Sequence, residues 1–257
     1  MEKQNLQINT IRLFSILLGA LIVLSSCSDL ILWEKDDDRI SQELEISNFN
    51  QINIENLFDI ELIQDSLEYI IVTASQGQLD ELRVQNESEI LSLKHNYSSL
   101  TQNLDRIKLE IHLKTIKTIK IKAPANIISR GALTLNQLSI DIDAKAELVE
   151  MDLELSCNKL LFHSFGSAIG GYKFWGECAN ASYILNGVTN IMASNFKSQN
   201  INIAQNGIGE AHINAKDKIT ATIYNSGNIY YKGNPKIIEI QRIQINNQKP
   251  TSKLIPE

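Results

Sequence analysis

From about residue 115 onward the sequence repeats every 20 or 21 residues, and the repeat is written in strand periodicity. With markers at Ala125, Ala146, Gly166, Gly187, Gly207 and Gly227 the steps are 21, 20, 21, 20 and 20. Four positions ahead of the markers stand Ile121, Ile142, Phe162, Tyr183, Ile203 and Ile223; six ahead stand Ile119, Ile140, Leu160, Ala181, Ile201 and Ala221. Between those two apolar columns runs a mostly polar one: Lys120, Asp141, Leu161, Ser182, Asn202 and Thr222. Alternation with period two is what a strand with one buried face requires. A 20-residue strand unit cannot close a core alone, so successive units must stack, each sealing its neighbour's apolar face. The pattern predicts an all-β chain, a single-stranded β-helix or solenoid with coils of about 20–21 residues.

Stacking places equivalent residues about 4.8 Å apart on adjacent coils. The markers then set Lys120 against Asp141 and Lys122 against Asp143. They also make vertical neighbours of Cys157 and Cys178, each nine positions before a marker. Disulfide-bonded cysteines have Cα separations of about 4.4 to 6.8 Å, which brackets the coil spacing. Either a disulfide or two stacked free thiols satisfies the spacing.

Ahead of the regular repeat, from Asn48 to about Thr115, strand signals such as Gln51-Ile52-Asn53-Ile54 and Ile60-Glu61-Leu62 recur with looser spacing. Ser75-Gln76-Gly77 and Asn96-Tyr97-Ser98-Ser99 read as turns, so this part is expected to form longer, irregular coils or a capping sheet over one end. No stretch here sustains helical spacing, and the polar tail 246–257 is expected to be poorly ordered.

The first 26 residues read as an export signal: Lys3 and Arg12 supply positive charge, Leu13 to Leu24 an apolar run too short for a spanning helix. Leu24-Ser25-Ser26-Cys27 resembles a bacterial lipobox. That resemblance implies cleavage before Cys27 and acyl chains, palmitate among them, holding the new N-terminus in a membrane, the outer membrane by expectation. Residues 27–45 then form a tether, and 46–245 the folded domain. Lys35-Asp36-Asp37-Asp38 is either an acidic surface-export signal placed late or a solvated linker. The whole chain carries a net charge of −6. Loss of Glu2, Lys3 and Arg12 would leave it at about −7, which disfavours a nucleic-acid partner.

His95, His112, His163 and His212 are scattered, without paired cysteines or a His-Glu-x-x-His run, and no phosphate loop or nucleophile elbow occurs. No metal or cofactor is expected. One acidic constellation stands out: Asp141, Asp143, Glu147, Glu150, Asp152 and Glu154, interleaved with apolar residues that turn most of the carboxylates outward. It would serve as a surface for binding or, in a carbohydrate-active β-helix, hold calcium or supply acid–base groups. The sequence shows no basic or aromatic partner set beside these acids, which favours a solvated face. Phe174, Trp175, Tyr230 and Tyr231 are the aromatics that could stack on a sugar, or pack at coil corners instead.

The marker turns resemble a family, the putative autotransporter adhesin, head GIN domain. Asn225-Ser226-Gly227-Asn228-Ile229-Tyr230-Tyr231-Lys232-Gly233-Asn234-Pro235 is similar to its closing segment. Phe165-Gly166-Ser167-Ala168, Asn186-Gly187-Val188 and Asn206-Gly207-Ile208 are similar to its repeated Ser-Gly unit. Phe49-Asn50-Gln51-Ile52 and Gln78-Leu79-Asp80-Glu81-Leu82 are similar to its opening strands. The first two markers depart from the pattern, in Pro124-Ala125-Asn126 and Lys145-Ala146-Glu147. The resemblance implies a right-handed β-helix-like domain at the cell envelope with a role in adhesion, and it supplies no catalytic residues. The expected function is a lipid-anchored, non-enzymatic binding module for an unknown protein or glycan. The alternatives are an envelope component acting through self-association or a membrane partner, and a calcium-dependent enzyme relying on Asp141, Asp143 and Asp152.

Overall fold

The computed structural model describes residues 39–46, 48–96 and 106–257. The signal segment, Cys27, the acidic run and the turn at Tyr97-Ser98-Ser99 lie outside them. In chain order the strands are β1 (Ile40–Glu45), β2 (Gln51–Ile54), β3 (Phe58–Gln64), β4 (Tyr69–Ala74), β5 (Leu82–Glu87), β6 (Ile90–His95), β7 (Ile107–Leu113), β8 (Thr118–Ile121) and β9 (Ala125–Ser129). Then follow β10 (Leu133–Ile142), β11 (Val149–Ser164), β12 (Ile169–Leu185), β13 (Val188–Gln205), β14 (Ala211–Ile223), β15 (Ile229–Lys232), β16 (Ile237–Arg242) and β17 (Leu254–Pro256). All seventeen hydrogen-bond into one sheet, wound as a solenoid of about seven turns.

Two outer walls can be followed through the register. Wall A stacks β7, β3, β9 and then the N-terminal stretches of β11, β12, β13 and β14, ending in β15 and β17. Wall B stacks β6, β2, β8 and the C-terminal stretches of β10 to β14, ending in β16. Both predicted apolar columns are buried in full, and no residue of the polar column between them is. The core they enclose centres on Phe162, whose ring meets Tyr172 at 4.6 Å, Phe174 at 5.9 Å and Tyr183 at 6.5 Å between centroids.

On wall B the register departs from the marker alignment by two residues at two coils. Phe162 stacks on Ile140, not Ile142, and Ile203 on Ala221, not Ile223. Because the side-chain period is two, a two-residue slip leaves every inward residue inward. Lys120 does face Asp141, as expected, but the Lys122 ammonium turns to Glu55 Oε1 at 2.8 Å instead of Asp143. The marker glycines mark coil corners that sit directly on the coil below. At Gly187 φ is +64°, and a Cβ would come within 2.3 Å of the Ala168 carbonyl oxygen. Ser164, Thr189 and Gln205 are buried at these corners and satisfy the turns: the Thr189 hydroxyl donates to Asn186 O at 2.7 Å, and Gln205 Nε2 donates to Gly209 O at 2.7 Å.

The irregular first part contains both expected features. The coil made by β2 and β3 lies between two later ones, since β2 pairs with β6 and β8, and β3 with β7 and β9. Beyond it, antiparallel strands close the end: β4 runs against β7 and carries β1, while β5 runs against β6. The Ser75 turn proves to open a short helix, α1 (Gln76–Glu81). Its N-cap forms a capping box, with Ser75 Oγ accepting from Gln78 N and Gln78 Oε1 accepting from Ser75 N. The tail is likewise not loose. It turns back at Ile245–Gln248, where Asn246 and Asn247 take positive φ, and lays β17 beside β15. Ser252 is 1% exposed, and its hydroxyl donates to Gly227 O.

Candidate functional site

The acidic constellation is divided by the fold. Asp141 points from wall B, between Lys120 and His163. Asp143 belongs to a corner, where its carboxylate accepts the Lys145 backbone N–H at 3.0 Å. Glu150, Asp152 and Glu154 alone share wall A, on alternate residues of β11. Among the described residues no group of three or more His, Cys, Asp or Glu side chains is placed to hold a metal ion.

Nor is Asp152 without partners, contrary to the sequence reading. Lys173 Nζ donates to its Oδ2 at 2.6 Å and Trp175 Nε1 to its Oδ1 at 3.0 Å, both from the next coil. Such an exposed pair contributes at most about 1 kcal/mol, so its main effect is to fix the indole, which is 42% exposed. The aromatic dipeptides split by strand alternation. Trp175 and Tyr230 face outward, whereas Phe174 is buried and Tyr231 packs against the core beside Ile213.

Two outward columns on wall A run past one another. The first reads Glu150, Gly171, Asn190, Glu210 and the second Asp152, Lys173, Met192, His212, Tyr230. Gly171 leaves a dip in the first column, where a Cβ would stand 2.7 Å from Glu150 Oε2. The resulting surface hollow of about 450 Å³ is lined by Glu150, Gly171, Asn190, Met192, Glu210 and His212, with Leu148 and Ile169 on its rim. Leu148 is 69% exposed and held at φ +56°, a conformation that costs a side-chain-bearing residue about 1–2 kcal/mol. At the upper end His212 stacks on Tyr230, and the Tyr230 hydroxyl donates to Glu210 Oε1 at 3.3 Å. The strip therefore combines flat aromatic and thioether surface with carboxylate and amide groups aimed along one side.

The residues that sequence reasoning missed here are Lys173, Asn190, Met192, Glu210 and His212. Each is the ladder neighbour of a residue already singled out or of another in this set; the repeat steps directly from Asp152 to Lys173 and from Met192 to His212, but between Lys173 and Met192 the register is one residue shorter than the markers give. None of the four histidines stands alone: His212 meets Tyr230, His112 stacks on Tyr69 at 3.9 Å, His163 lies 3.6 Å from Phe165 and His95 meets Phe58 edge-on at 5.3 Å.

The family described as putative auto-transporter adhesin, head GIN domain matches residues 48–235, most of the chain. The chain belongs to this family. The boundaries of the head GIN domain fall just outside β2 and just beyond β15, so β16 and β17 lie past the matched region. No curated protein matches the sequence. Among solved structures, a putative adhesin from Bacteroides fragilis is similar with a TM-score of 0.75 at 23% identity, over 86% of this chain and 98% of its own. A putative adhesin from Parabacteroides merdae gives 0.62 at 20% identity, over 86% and 97%. A putative lipid binding protein from Parabacteroides distasonis gives 0.56 at 18%, over 86% and 98%. At these identities the likeness is one of fold. Among the described residues no helix of the head GIN domain is long and apolar enough to cross a membrane.

Proposed function

We propose that this head GIN domain is a lipid-anchored, non-enzymatic adhesin of the cell envelope that lays a saccharide chain along wall A. The observation that carries the reading is the unbroken column Lys173, Met192, His212, Tyr230, beside Glu150, Asn190 and Glu210. Rungs about 4.8 Å apart suit an extended, repeating ligand. Sugar rings offer apolar faces to aromatic side chains and hydroxyls to carboxylates and amides. The net negative charge of the chain favours a neutral glycan over an acidic one.

The test is binding of the purified full-length chain to arrayed neutral and acidic glycans, compared with Tyr230→Ala and Glu210→Gln. Retention of a neutral glycan that both variants lose supports the reading; a protein ligand in place of a glycan replaces it. Anchoring is tested by protease shaving of intact cells carrying wild type or Cys27→Ala, with a mass measurement for acyl chains on Cys27. A lipidated domain that is shaved from intact cells supports surface adhesion, and one that is protected overturns it.

A second reading, self-association, is favoured by β16. Ile238 and Ile240 continue the inward columns of Ile219 and Ala221, yet they are 41% and 43% exposed, and among the described residues β16 pairs only with β14. An apolar edge strand of this kind is a template for another chain. Sedimentation velocity distinguishes the readings, since self-association predicts a dimer that Ile238→Lys dissociates.

A further inference from the structure

Cys157 and Cys178 are register partners on β11 and β12, with Sγ atoms 3.2 Å apart. They are only 9% and 4% exposed. Both nonetheless line a surface hollow of about 350 Å³ whose mouth carries Lys197, Lys216 and Glu177. One coil further on, the partner of Cys178 is Ser198, fully buried and, among the described residues, with no hydrogen-bond partner for its hydroxyl. The two sulfurs thus form a close pair in a polar-mouthed recess open to small molecules.

We propose that this pair is a redox-convertible staple between coils, oxidised by thiol–disulfide exchange with a small disulfide admitted through the hollow. The Cys178 thiolate attacks one sulfur of the reagent RSSR; the reagent's S–S bond breaks, RS⁻ leaves and takes up a proton. Cys157 then loses its proton, its sulfur attacks the Cys178–SR mixed disulfide, and a second RS⁻ leaves. Overall two protein thiols and RSSR become one protein disulfide and two RSH, so the protein is oxidised and the reagent reduced.

The order of attack follows from the pair's hydrogen bond. Cys157 donates to Cys178, which raises its own pKa and, with burial, keeps its proton in place. Cys178 accepts that bond and is drawn below the usual thiol range. The lysines at the mouth favour an attacking thiolate. Neighbouring coils hold Cα atoms about 4.8 Å apart, within the span a disulfide bridges, so closure requires side-chain rotation without separating the coils.

The test uses the full-length chain, extracted in detergent, reduced, freed of reductant and treated with hydroxyethyl disulfide. Trypsin cleaves at Lys145, Lys159, Lys173 and Lys197. A peptide spanning 146–159 joined to 174–197 is therefore expected without reductant, and it should vanish with dithiothreitol. The oxidised form should melt higher by about 5–10 °C, as expected for a crosslink closing a loop of this length in a domain of this size. Cys157→Ser should stop at the mixed disulfide on Cys178. Absence of the joined peptide, with both cysteines still alkylated by N-ethylmaleimide, overturns the proposal. A Cys157→Ser chain whose Cys178 stays unmodified overturns the order of attack.

Discussion

The imidazole of His212 lies parallel to the phenol ring of Tyr230, planes 10° apart and centroids separated by 4.7 Å, while His212 Nδ1 shares a 2.6 Å hydrogen bond with Glu257 Oε1. The last residues of the tail thereby set the upper end of the wall A strip. Replacing Tyr230 with Ala removes the stacking surface without opening the core. The expected result is at least a tenfold loss of glycan affinity by titration calorimetry, equivalent to about 1.4 kcal/mol, and a melting temperature nearly unchanged. Tyr230→Phe keeps the ring and loses only the hydroxyl's long bonds to Glu210 and from Asn228, so it should retain most of the affinity.

The aromatic cluster around Phe162 predicts the opposite outcome. Phe162 is 1% exposed and touches Tyr172, Phe174 and Tyr183 from neighbouring coils. Phe162→Ala should destabilise the domain by about 3–5 kcal/mol in denaturant unfolding, and Phe162→Leu by clearly less.

Gln205 occupies an inward position with a polar side chain, its amide bonded to Gly209 O at 2.7 Å and to Gly207 N at 3.4 Å. Gln205→Ala leaves a buried carbonyl and N–H without partners. A loss of about 1–3 kcal/mol is expected, with faster amide exchange at Gly207 than in wild type.

Two histidines predict a pH dependence. Burial lowers the pKa of His95 and of His163 below the ordinary 6.5, although Asp141 opposes this at His163. The unfolded chain therefore binds protons near pH 6.5 that the folded one refuses, so the melting temperature should fall as pH drops from 7.5 through 6.5. His163→Gln should flatten that slope. Asp65, lowered chiefly by its bond to His112, adds a second loss only below about pH 4, where the unfolded carboxylate protonates first.

The stacking of coils was legible because burial enforces it at every second residue: Ile119, Ile140, Leu160 and their successors had nowhere else to go. The two-residue slips at Ile140 and Ala221 were not, because an alternating pattern matches itself equally well when shifted by two. The capping box at Ser75 and Gln78 was written plainly, yet six helical residues give too little periodicity to display a face. At the site, the acids on β11 were visible while their partners were not recognised. Applying the same arithmetic that paired Cys157 with Cys178 to Asp152 leads to Lys173, but its next step falls on the buried Ala193, one residue past the Met192 that the register sets beside Lys173. The insertion of β2 and β3 between later coils lay beyond any local pattern, since it depends on pairings 39 to 67 residues apart in the chain.

That insertion ties the domain's assembly to the direction in which the chain becomes available. A polypeptide emerging N-terminus first exposes β2 and β3 long before the strands that flank them, so the base of the stack stays unfinished until β9 has appeared. From β10 onward each new coil finds its seat already complete. Emergence and winding then proceed together, and the most exposed interval belongs to about the first two-fifths of the domain.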